Sequence, residues 1–591
     1  MHQSVQQTLL TAKKHVKTGN LAGAKKLYLA ILAKFPKNKS AQLGLALLNQ
    51  VPQQVKVDVS QQDMNSVITL YRQGRLHDVI KYADSLLIRH PDTLVLHILL
   101  GEIHARLGQF QASLNHSNLA LKLDPENASA HNNLGGALKR SGNLTAAIAS
   151  YENAIRSAPS MAELHNNLGI ALTESGDLIK ARKSYHRALE IAPDNLKYIT
   201  SLCDFYEKTN DLSGLSDILQ RSKDTKAASN ANTLYYTALL GFREKSYADA
   251  KTVLDQIDPD ALIPKRVIAY YELKGKLYDK LNLHDAAFSA FGDMNTAVKN
   301  SSEFKNIGAD NYFADISSFL SKLKQAPPLP SKTASIFSTP NTPCFLVGFP
   351  RSGTTLLDTI LRSHSKIIVA EEQPMVAAMR HEITDASDLN EIETLSTKKQ
   401  VFLQAQYLAE LAKHVDTSGK NQLCIDKLPL NALDTPLIDA VFPNAKYILA
   451  IRHPYDCILS CYMQYFKLNP QMANMVNLDR IVEFYCVVMG TWATAQKRYG
   501  LSFHMIRYED LVTDMPAEVG NLLQFLGLEW ESNLTDYQKT ARQRGKINTP
   551  SYSQVVQPLY KDASYRWKKY QKHFEPYQEK IQPWIEQFGY V

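Results

Sequence analysis

The stretch Cys344-Phe-Leu-Val-Gly-Phe-Pro-Arg-Ser-Gly-Thr-Thr-Leu-Leu-Asp-Thr-Ile-Leu-Arg-Ser-His364 decides the second half of the chain. Cys344 to Val347 reads as a short buried strand, Gly348 to Gly353 as a glycine-bounded loop, and the residues from about Thr354 as an amphipathic helix. A strand, a glycine loop and a helix N-terminus together make an anion site, because backbone N–H groups and the helix dipole converge on one point. The spacing Gly348-x-x-x-x-Gly353 is that of a nucleoside-triphosphate P-loop, yet Thr354 stands where such a loop needs lysine. Without that lysine the terminal phosphates lose their main counter-charge, so kinase or ATPase chemistry is disfavoured. Arg351, inside the loop, supplies the cation instead.

Downstream, AKYILAIRHPYDCILSCYMQYF (445–466) repeats the design: an apolar strand ending at Arg452, Pro454 near the first helical position, and an apolar helix behind it. Upstream, residues 321–342 are rich in Pro, Ser and Thr, break the helical pattern and read as a linker. Before that linker the chain repeats itself. Pro91, Pro125, Pro159 and Pro193 recur every 34 residues, and Gly101, Gly135 and Gly169, and Gly74, Gly108, Gly142 and Gly176, follow the same period. Gly135 with Ala154, and Gly169 with Ala188, mark places where two helices approach too closely for a larger side chain. Gly142 and Gly176 are placed to end the first helix of each pair, and Pro159 and Pro193 to stop the second.

Composition agrees with an ordinary globular protein. The 591 residues are 45% hydrophobic and 21% charged, which sets aside disordered, collagenous and disulfide-scaffold classes and calls for two or more domains. Sixty-six Lys and Arg against 58 Asp and Glu give +8, too mild to demand a nucleic-acid polymer as partner. Six cysteines without a C-x-x-C pair, no signal-like N-terminus and no apolar run of membrane-span length predict a cytoplasmic protein with reduced thiols and no membrane span. No His, Cys and Asp cluster has metal-ligand spacing, so no metal is expected.

The repeated segments resemble the tetratricopeptide repeat family. The expected array covers 1–320, clearest over 60–200 and degenerate over 200–320, where the sequence leaves open whether the helical pairs complete it. An array of this kind usually presents a concave face to a protein or peptide partner. Asn133 and Asn167 recur at a position where the resemblance places side chains toward that groove. A structural spacer remains the plainer alternative.

The string PRSGTT (350–355) resembles the sulfotransferase family that uses 3′-phosphoadenosine 5′-phosphosulfate (PAPS), most of all tyrosylprotein sulfotransferases and bacterial sulfotransferases carrying tetratricopeptide repeats. The resemblance implies an α/β domain over 343–591 with a parallel sheet, and a donor site holding Pro350, Arg351, Ser352, Gly353, Thr354, Thr355, Arg452, Ser460, Tyr508, Tyr560 and Arg566. Arg452 and Ser460 match the pair that grips the 3′-phosphate, a task suited to the planar fork of arginine. Glu371 and Glu372, in VAEEQPM, match a glutamate pair whose second member is the base, and 372 − 351 = 21 is the family spacing. Glu371 is given a supporting role. Arg351, Lys427 in CIDKLPLN and Ser551 match groups on the leaving phosphate, Ser551 through the pattern S-x-x-Q-V-x-x-P with Gln554, Val555 and Pro558. Arg566 departs from the family, which tends to have lysine there, and Tyr560 is placed near the same lid. Between 542 and 572 the run Arg542, Arg544, Lys546, Lys561, Arg566, Lys568, Lys569 and Lys572 faces a single Asp562. A solvated face is the common reading of such a run, and steering of a polyanionic donor the functional one.

The expectation is therefore an all-α tetratricopeptide solenoid followed by an α/β sulfotransferase domain that moves a sulfuryl group to an acceptor hydroxyl. A protein or peptide tyrosine is the preferred acceptor, and a carbohydrate the alternative. A scaffold with an inactive sulfotransferase fold is the alternative of another class. A homodimer is compatible with all three.

Overall fold

The computed structural model describes residues 5–17, 21–36, 38–50, 59–329, 342–385, 387–416, 422–543 and 564–590. Ser551 and Tyr560, the pattern residues Gln554, Val555 and Pro558, and most of the Pro-rich linker lie outside the described residues. The chain divides into two compact units, Met1–Ile218 and Leu219–Val591. Among the described residues no helix is long and apolar enough to cross a membrane.

The first unit is all-helical, a succession of antiparallel pairs that includes Ala128–Arg140 with Leu144–Ser157 and Ala162–Ser175 with Leu178–Ile191. A Cβ on Gly135 would lie 2.8 Å from the Tyr151 ring, and one on Gly169 2.9 Å from the Tyr185 ring, so each glycine is the hole for a tyrosine sixteen residues later. Ala154 and Ala188 are fully buried beside them. Gly176 closes its helix in the left-handed region at φ 90°, and the second helices end at Ser157 and Ile191, two residues short of Pro159 and Pro193. The repeated asparagines bond within the array. Asn133 Nδ2 donates to the Ile98 carbonyl at 2.9 Å and Asn167 Nδ2 to Asn132 Oδ1 at 2.9 Å, tying each repeat to the one before it.

The second unit is built on five parallel strands: β1 (Cys344–Gly348), β2 (Ile367–Glu371), β3 (Leu423–Lys427), β4 (Lys446–Ile451) and β5 (Ser502–Arg507), in the order β2-β3-β1-β4-β5. Side chains alternate between two apolar layers, as a doubly covered sheet requires. Phe345, Val347, Tyr447, Leu449 and Ile451 enter one layer, and Cys344, Leu346, Ile448 and Ala450 the other. The first layer also takes Ala287, Phe291, Met294, Ile316 and Leu323 from helices ahead of β1, the last of which, Ala309–Gln325, runs into the stretch expected as linker from 321. One of those pairs, Pro264–Lys280 with His284–Asn300, repeats the packing of the array, since a Cβ on Gly275 would meet the Phe291 ring at 2.7 Å. These helices are repeat-like in their pairing, yet their core is the core of the sheet.

Candidate active site at the carboxyl edge of the sheet

In a parallel sheet every strand delivers its last residue to the same edge, and here the register places the chemistry there. Glu371, the last residue of β2, pairs with Lys427, the last of β3. Gly348 of β1 pairs with Ala450, and Ile451 with Arg507. The loop 349–353, Glu372, Arg452 and Tyr508 follow these strand ends directly.

The loop is shaped by close approach. A Cβ on Gly348 would sit 2.4 Å from the Ala450 carbonyl oxygen, and one on Gly353, held at φ 95°, 2.7 Å from Cδ2 of Tyr508. Arg351 adopts φ 71° in the same turn, a conformation that costs a non-glycine residue about 1–2 kcal/mol and is held by its surroundings. Its Nε donates to Ser460 Oγ at 3.0 Å, bridging the first loop to the helix Pro454–Tyr462. Ser352, Thr354 and Thr355 are buried, and Ser352 Oγ has no hydrogen-bond partner among the described residues. Next to it begins the helix Thr354–Leu361, whose first N–H groups have no partner within the helix. A buried hydroxyl, orphan N–H groups and two arginines form a donor set that fits a phosphorylated ligand. Among the described residues no group of three or more His, Cys, Asp or Glu is placed to hold a metal ion.

Lys427 is the centre of charge at this edge. Its side chain has no exposed surface, and its Nζ lies 3.1 Å from Glu371 Oε1 and 2.8 Å from Glu372 Oε1. Glu371 is 10% exposed and Glu372 39%. The Glu372 N–H donates to the Lys427 carbonyl at 2.8 Å, and Glu372 turns out of the strand at φ 52°. One face of the triad is thereby sealed and the other open.

Arg452 lies across the edge. Its guanidinium carbon is 5.1 Å from the Tyr508 ring centre, and its Nη2 is 3.9 Å from Asp456 Oδ2. Asp456, 1% exposed, accepts from the backbone N–H groups of Tyr565 at 2.7 Å and Trp567 at 2.8 Å. Burial raises its pKa, opposed by Arg452 and those two N–H groups. Sequence reasoning passed over Asp456, although a carboxylate four residues after Arg452 in the first turn of a helix is a readable signal. Glu509 was passed over as well. It is buried and accepts from the His453 N–H at 3.0 Å and the Tyr590 hydroxyl at 2.6 Å, partners that no spacing reveals. His453 stacks on Trp567 at 4.9 Å, and burial, with Lys568 and Arg452 nearby, pushes its pKa down to about 4.

Of the expected site residues, Pro350, Arg351, Ser352, Gly353, Thr354, Thr355, Glu372, Lys427, Arg452, Ser460 and Tyr508 share this edge. Arg566 reaches the helix Pro264–Lys280. Its Nη2 pairs with Asp279 Oδ2 at 2.7 Å, and the Tyr570 hydroxyl donates to the other carboxylate oxygen at 2.6 Å.

Residues 343–532 match the Sulfotransferase family, and 101–142 and 134–195 match tetratricopeptide repeat families. An uncharacterized protein of Aquifex aeolicus (strain VF5) is 28% identical over 41% of this chain and 32% of its own length. Protein-tyrosine sulfotransferase 2 of Gallus gallus is 24% identical over 38% of this chain and 62% of its own. The chain thus spans less than two thirds of the length of these relatives. A crystal structure of MamA aligns at 20% identity with 26% of this chain and 91% of its own, at a TM-score of 0.25. Residues 343–532 thus match a sulfotransferase domain, and tetratricopeptide repeats stand ahead of it.

Proposed function

We propose that the second unit transfers a sulfuryl group from PAPS to an acceptor hydroxyl, that of a tyrosine in a protein or peptide. The observation that carries this reading is the triad Lys427, Glu371 and Glu372 on the same sheet edge as the loop 349–353 and Arg452. PAPS supplies the sulfuryl group and a phosphate oxygen that leaves with the bonding electrons. In this reading Ser352, Thr354 and Thr355 donate to the 5′-phosphate side of the donor, and Arg452 with Ser460 holds its 3′-phosphate. Arg351 stands between the two, which suits it to the charge that develops on the leaving oxygen. Glu372, the most open member of the triad, takes the proton of the acceptor hydroxyl. Lys427 offers its ammonium to the leaving oxygen. Ser551 is assigned to the leaving phosphate oxygen, Arg566 to a donor phosphate and Tyr560 to the lid beside them, on the family pattern alone.

Tyrosine as acceptor is supported by the glutamate pair and by the named activity of the Gallus gallus relative. The repeat array is assigned the capture of the acceptor chain or of a partner that brings it. Incubation with sulfur-labelled PAPS and matched panels of tyrosine peptides and glycans tests this: label is expected on tyrosine. Label on sugars alone would remove the tyrosine assignment, and no transfer and no nucleotide binding would leave a scaffold.

A further inference from the structure

A buried ammonium is stable only while it has counter-charge, and Lys427 has two carboxylates that differ in their surroundings. Glu371 ends β2, is nearly closed off, and pairs in register with Lys427 itself. Glu372 lies beyond the strand end, is much more exposed, and holds a left-handed backbone conformation that points the chain away from the sheet. The cluster carries a net charge of −1 when both carboxylates are ionised. When Glu372 takes a proton the net charge becomes zero, and Lys427 with Glu371 is left as a neutral pair. With Glu372 alone, the same proton transfer would strip a fully buried ammonium of its last carboxylate.

We propose that Glu371 is a positioning residue, the permanent counter-ion of Lys427 that frees Glu372 to exchange a proton. This rests on the transfer reading above and deepens it. In the step concerned, the acceptor O–H bond breaks and its proton goes to a Glu372 oxygen. The acceptor oxygen forms a bond to sulfur, and the sulfur bond to the bridging phosphate oxygen breaks, its electron pair staying on that oxygen. Lys427 keeps its proton throughout. Glu371 holds it in place while its other partner changes charge.

The inference has a signature that loss of structure does not share. Glu371→Gln removes a negative charge beside the place of the leaving phosphate, so the product nucleotide is attracted more strongly while proton uptake by Glu372 is opposed. Calorimetric titration of the full chain with 3′-phosphoadenosine 5′-phosphate is expected to give a Kd about three- to tenfold lower for Glu371→Gln than for the wild type. Turnover, on whichever panel acceptor the wild type labels, is expected to fall about tenfold to a hundredfold. Glu371→Asp, which keeps the charge, is expected to return both quantities most of the way. Turnover of Glu371→Gln within twofold of the wild type would overturn the assignment, and so would slower turnover with unchanged, weaker or absent nucleotide binding. Failure of the wild type itself to bind the nucleotide is a separate result, which removes the transfer reading and this one with it.

Discussion

Lys427, Arg452 and Asp426 show how the fate of a buried charge depends on its partners. Lys427 is held by two carboxylates, and Arg452 lies over the Tyr508 ring near Asp456. The roles proposed for these groups predict separable losses. Glu372→Ala should lower turnover by at least about 10²-fold while 3′-phosphoadenosine 5′-phosphate still binds in a calorimetric titration. Loss of nucleotide affinity in that variant would contradict the division between base and donor site. Asp426, one residue before Lys427, is completely buried, accepts from the Tyr407 hydroxyl at 2.9 Å, and is pushed up to about 7 by burial. A carboxyl whose pKa is higher folded than unfolded makes the folded state bind more protons between the two values, so its contribution to stability declines as pH rises from about 4 to 7. Asp426→Asn is therefore expected to gain stability over the wild type on going from pH 5 to pH 8, by on the order of a few kcal/mol. Denaturant titrations at the two pH values measure it, and a gap that stays constant or shrinks would show that Asp426 titrates in its ordinary range.

The strand-loop-helix units are the elements that sequence reveals best, because their signals are local. Alternation of Phe345 and Val347 against Cys344 and Leu346 puts β1 between two apolar layers, and Gly353 is required where Tyr508 leaves no room for a Cβ. Gly353→Ala should accordingly reduce nucleotide affinity and cost about 1–3 kcal/mol. Gly142→Ala is a control, since φ is 83° there but nothing lies within 4 Å of the added Cβ; it should cost about 1 kcal/mol and leave nucleotide binding unchanged. Thermal unfolding and calorimetry on both variants check this, and equal effects on binding would deny the loop its special shape. The contacts that sequence did not disclose join distant segments. Asp456 holds the N–H of Tyr565, Glu509 holds the Tyr590 hydroxyl, and Asp279 holds Arg566. No periodicity encodes such pairs, because they exist only once the sheet has brought the segments together. The asparagines of the array are the opposite case: their recurrence was visible, but only the structure shows them bonded between repeats.

At the scale of the molecule, composition marks one boundary and packing another. The Pro-rich stretch at 321–342 breaks the helical pattern, yet the compact units part between Ile218 and Leu219. The physical reason is the apolar layer shared by Phe291, Met294, Ile316 and Leu323 with the sheet. Burial of a large apolar side chain contributes about 1.5–3 kcal/mol, so four of them approach the whole stability of a typical domain, about 5–15 kcal/mol. A chain of residues 219–591 is thus expected to fold and bind 3′-phosphoadenosine 5′-phosphate, and one of residues 331–591 to fail. Equal binding by both would show that the preceding helices are dispensable. The central claim, that the carboxyl edge of the sheet is a site for a 3′-phosphorylated sulfuryl donor, is tested most directly by comparing 3′-phosphoadenosine 5′-phosphate with adenosine 5′-monophosphate in calorimetric titrations of the wild type and Arg452→Ala. The wild type is expected to bind the 3′-phosphorylated nucleotide at least about tenfold more tightly, and Arg452→Ala to erase the difference. Equal affinity of the wild type for the two nucleotides would contradict it.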